Sequence, residues 1–136
     1  MSYDCYCDYD SPEIYRSSRP RARKEYGCYE CAARILPGEI HEYHFGVQYG
    51  DSYSGRTCMK CVEIREWVTG NIPCFCWAHG NMIEDARGAI DEACYRAPEE
   101  TVGIRFGFAR RLHQRDRFNQ SRSLTLPRPP SNSEAK

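Results

Sequence analysis

Two cysteine pairs offer the most definite chemistry in this chain. Cys28-Tyr-Glu-Cys31 and Cys58-Met-Lys-Cys61 share one spacing, two residues between the thiols, with 26 residues between the pairs. That gap lets both sulfurs of a pair face a single ion about 2.3 Å away, and thiolate is a soft ligand suited to zinc. Four cysteines fill every position of a tetrahedral zinc and leave none for water, so the pattern predicts a structural centre rather than a catalytic one. A second group, Cys5, Cys7, Cys74, Cys76 and His79, offers five candidate ligands for a second ion. The alternative is that Cys74 and Cys76 pack as small hydrophobes beneath Phe75 and Trp77. Cys94 lies on the apolar side of an expected helix and reads as core. The chain has nine cysteines in all, an odd number that cannot pair entirely within one chain.

Other chemistry has less to stand on. His41 and His44 fall in an expected hairpin, where a metal-dependent nuclease of this general shape carries a histidine. Such an enzyme needs a further histidine on the following helix, and residues 58–70 contain neither histidine nor asparagine. No Gly-rich phosphate loop, nucleophile elbow or paired-carboxylate motif is present, so an enzyme is not expected. Arg105, Arg110, Arg111, Arg115 and Arg117, interleaved with phenylalanines, suit phosphate contacts combined with base stacking. They make a DNA- or RNA-binding protein the second reading.

These residues require an α+β frame to hold them. Residues 40–49 alternate, with His41, Tyr43, Phe45, Val47 and Tyr49 expected on the buried face of a strand. Gly50-Asp51-Ser52 is turn chemistry, and residues 53–57 return as a second strand. A short helix over 58–69 puts Cys61, Ile64, Trp67 and Val68 on one face. A second opens at Asn81 with Glu84 as its capping-box partner and a stripe of Ile83, Ala86, Ile90 and Ala93. A basic helix is expected over 104–118, weakened by Gly107. Knuckle, hairpin, then a helix carrying the second cysteine pair is the treble-clef order. The chain divides into an N-terminal arm (1–27), which a second metal site would fold back, the zinc domain with its C-terminal helices (28–118) and a disordered tail (119–136).

Lys plus Arg and Asp plus Glu balance at 19 each, but residues 27–100 carry a net −6 and residues 101–136 a net +6. Oppositely charged parts attract different partners, or each other. No apolar run reaches the roughly 18 residues a membrane span needs. The acidic, aromatic start, Met1 to Asp10, is unlike a secretory leader, so an intracellular protein is expected.

The stretches Cys5 to Tyr15, Ala22 to Cys28, Leu36-Pro-Gly-Glu39, Cys58 to Cys61 and Pro73 to Asn81 resemble a family of small, largely uncharacterised proteins encoded in bacteriophages and prophages. The resemblance spans residues 5–118 and is most distinctive around Trp77-Ala-His79. It implies a treble-clef zinc module in the cytoplasm of a bacterial host, with no known activity. One position departs from the pattern: Ala32 stands where glycine usually follows the second knuckle cysteine. Phage accessory proteins commonly act by covering a host surface. The expected function is therefore non-enzymatic binding to a host protein or nucleoprotein complex, such as an anti-CRISPR-like inhibitor of a defence complex.

Overall fold

The computed structural model describes residues 9–125 and is an α+β arrangement of small sheets and three helices. In chain order the elements are β1 (Ile14–Ser18), β2 (Tyr26–Gly27), β3 (Arg34–Ile35), β4 (His41–Gln48), β5 (Asp51–Cys58), α1 (Met59–Asn71), α2 (Met82–Arg96) and α3 (Ile104–Thr125). The expected hairpin is β4 and β5, with Gln48 opposite Asp51 and His41 opposite Cys58. Its turn is Tyr49-Gly50, both at positive φ (55° and 81°), a geometry that matches the twist of the flanking strands. The turn therefore lies one residue earlier than Gly50-Asp51-Ser52, and Asp51 already belongs to the strand.

β1 pairs antiparallel with the other edge of β4, Ile14 opposite Val47 and Ser18 opposite Tyr43. Part of the segment expected to be an extended arm is thus a sheet strand. β4 becomes the central strand, covered on both sides, and its most buried row is not the one expected. His41 is buried, but Tyr43, Phe45 and Val47 are half-buried while Glu42, His44 and Gly46 are all buried. The polar side chains of that row found partners: Glu42 an arginine of α1 and His44 the ring of His79. Alternation predicts that the apolar row of a strand is the buried one, and in β4 the row of Glu42, His44 and Gly46 is buried instead.

α1 and α2 occupy the spans their periodicity predicts, with Cys58 and Asn81 at the N-caps. The capping box at Glu84 does not close. Glu30, from the loop between the first two cysteines, accepts the N–H groups of Gly80 (2.7 Å) and Met82 (3.2 Å) instead, placing a carboxylate at the positive end of the helix. α3 runs on through residues 119–125, which were expected to be tail; residues 126–136 lie outside the described part. Gly107 is a packing residue rather than a weak point, since a Cβ there would lie 2.8 Å from Trp67 Cζ2.

Ile64, Val68 and Ile72 of α1 and its end meet Ala86, Ile90 and Ala93 of α2 and Ile104 and Phe108 of α3 in one apolar cluster. A second cluster, Ala22, Cys28, Ile35, Cys61 and Met82, joins the cysteines to the start of α2. Phe75 and Ile83 pack against both. The segregated charge closes partly on itself, through ion pairs of Arg105 with Asp91 and of Arg122 with Glu39. Among the described residues, no helix is long and apolar enough to cross a membrane.

Candidate metal centre

Each cysteine pair is placed by a local device. In the first, the chain turns back so that the Cys28 N–H donates to the Ala33 carbonyl (2.8 Å) and the Ala32 N–H to the Cys28 carbonyl (2.9 Å). Ala32 takes φ 65° to make this turn, the left-handed region that glycine enters without strain. In the second, Cys58 ends β5 and Cys61 lies in the first turn of α1, so one turn of helix brings both sulfurs to one side.

The four Sγ atoms lie within 4.8 Å of one another. Cys28 and Cys61 are 3.9 Å apart and Cys31 and Cys58 3.8 Å. A regular tetrahedron with metal–sulfur bonds of about 2.3 Å has edges of about 3.8 Å. The four cysteines can therefore hold a metal ion, and their spacing is consistent with zinc. Cys28 and Cys61 are buried, and four sulfurs complete a tetrahedral shell. As thiols, the four divide their protons unevenly. Hydrogen bonds from Cys31, Cys58 and Cys61 hold Cys28 far below the ordinary thiol range, and the Cys28 thiolate in turn pushes Cys58 and Cys61 up. Four sulfurs crowded together favour a cation among them.

Donors from outside the pairs complete the surroundings. The backbone N–H groups of Glu30 and Cys58 reach Cys28 Sγ at 3.4 and 3.3 Å. From α3, Arg115 Nη1 donates to Cys61 Sγ (3.5 Å) and Asn119 Nδ2 to Cys31 Sγ (3.7 Å). Four thiolates around a divalent ion leave a net charge of −2, and a half-buried guanidinium beside them offsets part of it. Sequence reasoning assigned Arg115 to a nucleic-acid surface and left Asn119 in the tail. Only the length of α3 brings them here, and no local motif signals it.

The second set of candidate ligands is not assembled among the described residues. Cys5 and Cys7 lie outside them. Cys74 and Cys76 are disulfide-bonded. His79 Nε2 is 2.7 Å from the Tyr15 hydroxyl, and its ring stacks on His44 with centroids 3.5 Å apart and planes 2° from parallel. The two hairpin histidines are enclosed. His41 accepts from Arg56 at Nε2 (2.8 Å) and lies 3.3 Å from the Glu39 carbonyl at Nδ1. His44 is fully buried, and neither of its ring nitrogens has a hydrogen-bond partner among the described residues.

Of the five arginines nominated for nucleic acid, Arg105 pairs with Asp91, Arg111 lies over the Trp67 ring at 4.4 Å, and Arg115 faces Cys61. Arg110 and Arg117 are exposed. Cys94 is half-buried against the helical core, as its place on α2 predicts. Comparison with family models, with curated proteins and with solved structures finds no match to this chain.

Proposed function

We propose that this chain is a non-enzymatic binding protein built on a zinc-stabilised treble clef, with residues 28–31 as the knuckle, β4 and β5 as the hairpin and α1 carrying the second cysteine pair. The observation that carries the reading is the four-sulfur cluster, all within 4.8 Å, whose protein ligands complete a tetrahedron. A centre of that kind holds a fold together and offers substrate no coordination site. Support also comes from the enclosure of His41 and His44, which leaves neither histidine open as a base.

The partner we propose is a host protein or nucleoprotein complex in a bacterial cytoplasm, in the manner of an anti-CRISPR-like inhibitor. The resemblance to phage-encoded modules and the acidic middle of the chain support it. Direct nucleic-acid binding through α3 is the weaker reading, because Arg105, Arg111 and Arg115 are already engaged within the molecule.

Cobalt substitution tests the closed centre. The account expects a tetrahedral thiolate spectrum that added cyanide or imidazole leaves unchanged, and a spectrum shifted by either ligand contradicts it. Nuclease-treated bacterial lysate passed over the immobilised protein tests the binding: retention of a defined protein partner is expected, and retention of nothing contradicts the reading.

A further inference from the structure

On the far side of the sheet from Arg56, a cavity of about 620 Å3 opens between the sheet and the segment before α2, lined by Tyr9, Tyr15, Tyr29, Tyr53, Trp77 and His79. Three glycines make it. A Cβ on Gly46 would lie 2.4 Å from Tyr53 Cζ, and one on Gly55 would lie 2.8 Å from His44 Cε1 and 3.1 Å from Tyr29 Cδ1. Gly80, at φ 90°, passes 3.1 Å from Tyr29 Cε2 by the same measure. The rings can lie down on backbone only because these positions have no side chain. His79 lines the cavity with its ring stacked on the buried His44 behind it, and the Tyr15 hydroxyl is held to His79.

The sheet sorts charge between its faces. Cross-strand partners share a face, so the register puts Tyr15, Gly46 and Tyr53 in one row across the sheet and His44 and Gly55 in the next on the same face. Glu42 and Asp51 belong to that face, whereas Arg16 and Arg56 belong to the opposite one. Asp10 also lines the cavity, and Tyr9 donates to the Asp85 carboxylate at 3.0 Å. The chain's own cations cover other rings, Arg56 over Tyr26 and Tyr43 at 4.0 and 4.6 Å and Arg111 over Trp67, while in the cavity wall Arg65 lies over Trp77 at 4.7 Å with its charge paired to Glu42. Among the described residues, no arginine or lysine lies over Tyr15, Tyr29 or Tyr53. Open tyrosine faces beside the Asp10 carboxylate, with Arg65 neutralised by Glu42, attract an organic cation and disfavour phosphate.

From this we infer that the cavity is a binding site for an arginine-bearing segment of a partner protein, its guanidinium seated among the tyrosine rings. The planar guanidinium is the cation that stacks best on such faces, as Arg56 does between Tyr26 and Tyr43. The volume exceeds one side chain, so neighbouring residues of the segment enter with it. The inference rests on the binding-protein reading and names the chemistry of its partner.

The test titrates the full metal-loaded chain with Gly-Arg-Gly peptide, the same peptide carrying citrulline, and adenosine monophosphate, read by Trp77 fluorescence in a Trp67→Phe background. The arginine peptide should bind, with citrulline roughly ten-fold weaker or more and adenosine monophosphate not competing. Tyr29→Leu, at a half-exposed ring, should weaken the arginine peptide by roughly ten-fold, with metal content unchanged. Tyr95→Ala, on the exposed side of α2, should change nothing. Equal affinity for citrulline, competition by the nucleotide, or no arginine binding up to millimolar peptide overturns the inference. So does a lysate partner that Tyr29→Leu captures as well as the parent does, and in that case the binding reading itself survives.

Discussion

At the residue scale, Ala32 is the point where sequence and fold disagree most sharply. Its φ of 65° costs a residue with a Cβ about 1–2 kcal/mol, while glycine carries a penalty of about 0.5–1 kcal/mol from its looser unfolded chain. Ala32→Gly should therefore stabilise the metal-loaded protein by about 0.5–1 kcal/mol, read as a shifted urea midpoint; an unchanged midpoint would count against the knuckle geometry. His79 makes a second prediction. Burial, and then the neighbouring His44, push its imidazole down to about 4 from an ordinary 6.5. Between those values the unfolded chain takes up a proton that the folded chain refuses, so folding stability falls as pH drops from 6.5 toward 4 and is complete above 6.5. His79→Phe, which keeps a ring on His44, should lose less stability than the parent between pH 7 and pH 5 in denaturant titrations with metal content monitored. Parallel losses would show that His79 is not the group responsible.

Between elements, the contact of greatest consequence is the one tying α1 to the sheet. Arg65 donates twice to Glu42, at 2.8 and 2.6 Å, and the pair is almost wholly buried. Burial alone would raise the Glu42 carboxyl, but the hydrogen bonds and charge of Arg65 outweigh it and leave the group below the usual carboxylate range. Arg65→Ala strands that charge and should cost about 3–5 kcal/mol, whereas Glu42→Gln combined with Arg65→Met should cost much less. Thermal unfolding of both variants decides it; equal losses would mean that packing rather than charge sets the cost. This pair also marks where sequence reading stops. The cysteine spacing revealed the cluster, and apolar periodicity revealed α1, α2 and the hairpin, because each is a local pattern. Glu42 against Arg65, Glu30 on the start of α2 and Gly107 beneath Trp67 are pairings across the chain, and no local pattern encodes them. β1 escaped for a related reason: its five residues are exposed and show no alternation, so only β4 reveals it as a strand.

Over the whole molecule, two modest apolar clusters meet at Phe75 and Ile83, and the second of them contains two of the four cysteines. The metal centre joins the knuckle, the end of β5, the start of α1 and, through Arg115 and Asn119, the side of α3. On the reading proposed above, a fold of this size with part of its core built from these cysteines depends on the ion they would hold. A strong chelator should therefore abolish cooperative unfolding, and readded zinc should restore it. The most direct measurement is zinc per chain, by elemental analysis, for the parent and for Cys28→Ser/Cys61→Ser purified identically. The account predicts one zinc fewer in the variant, together with loss of its cooperative thermal transition. Equal zinc in the two proteins, or a variant that unfolds as cooperatively as the parent, would contradict it.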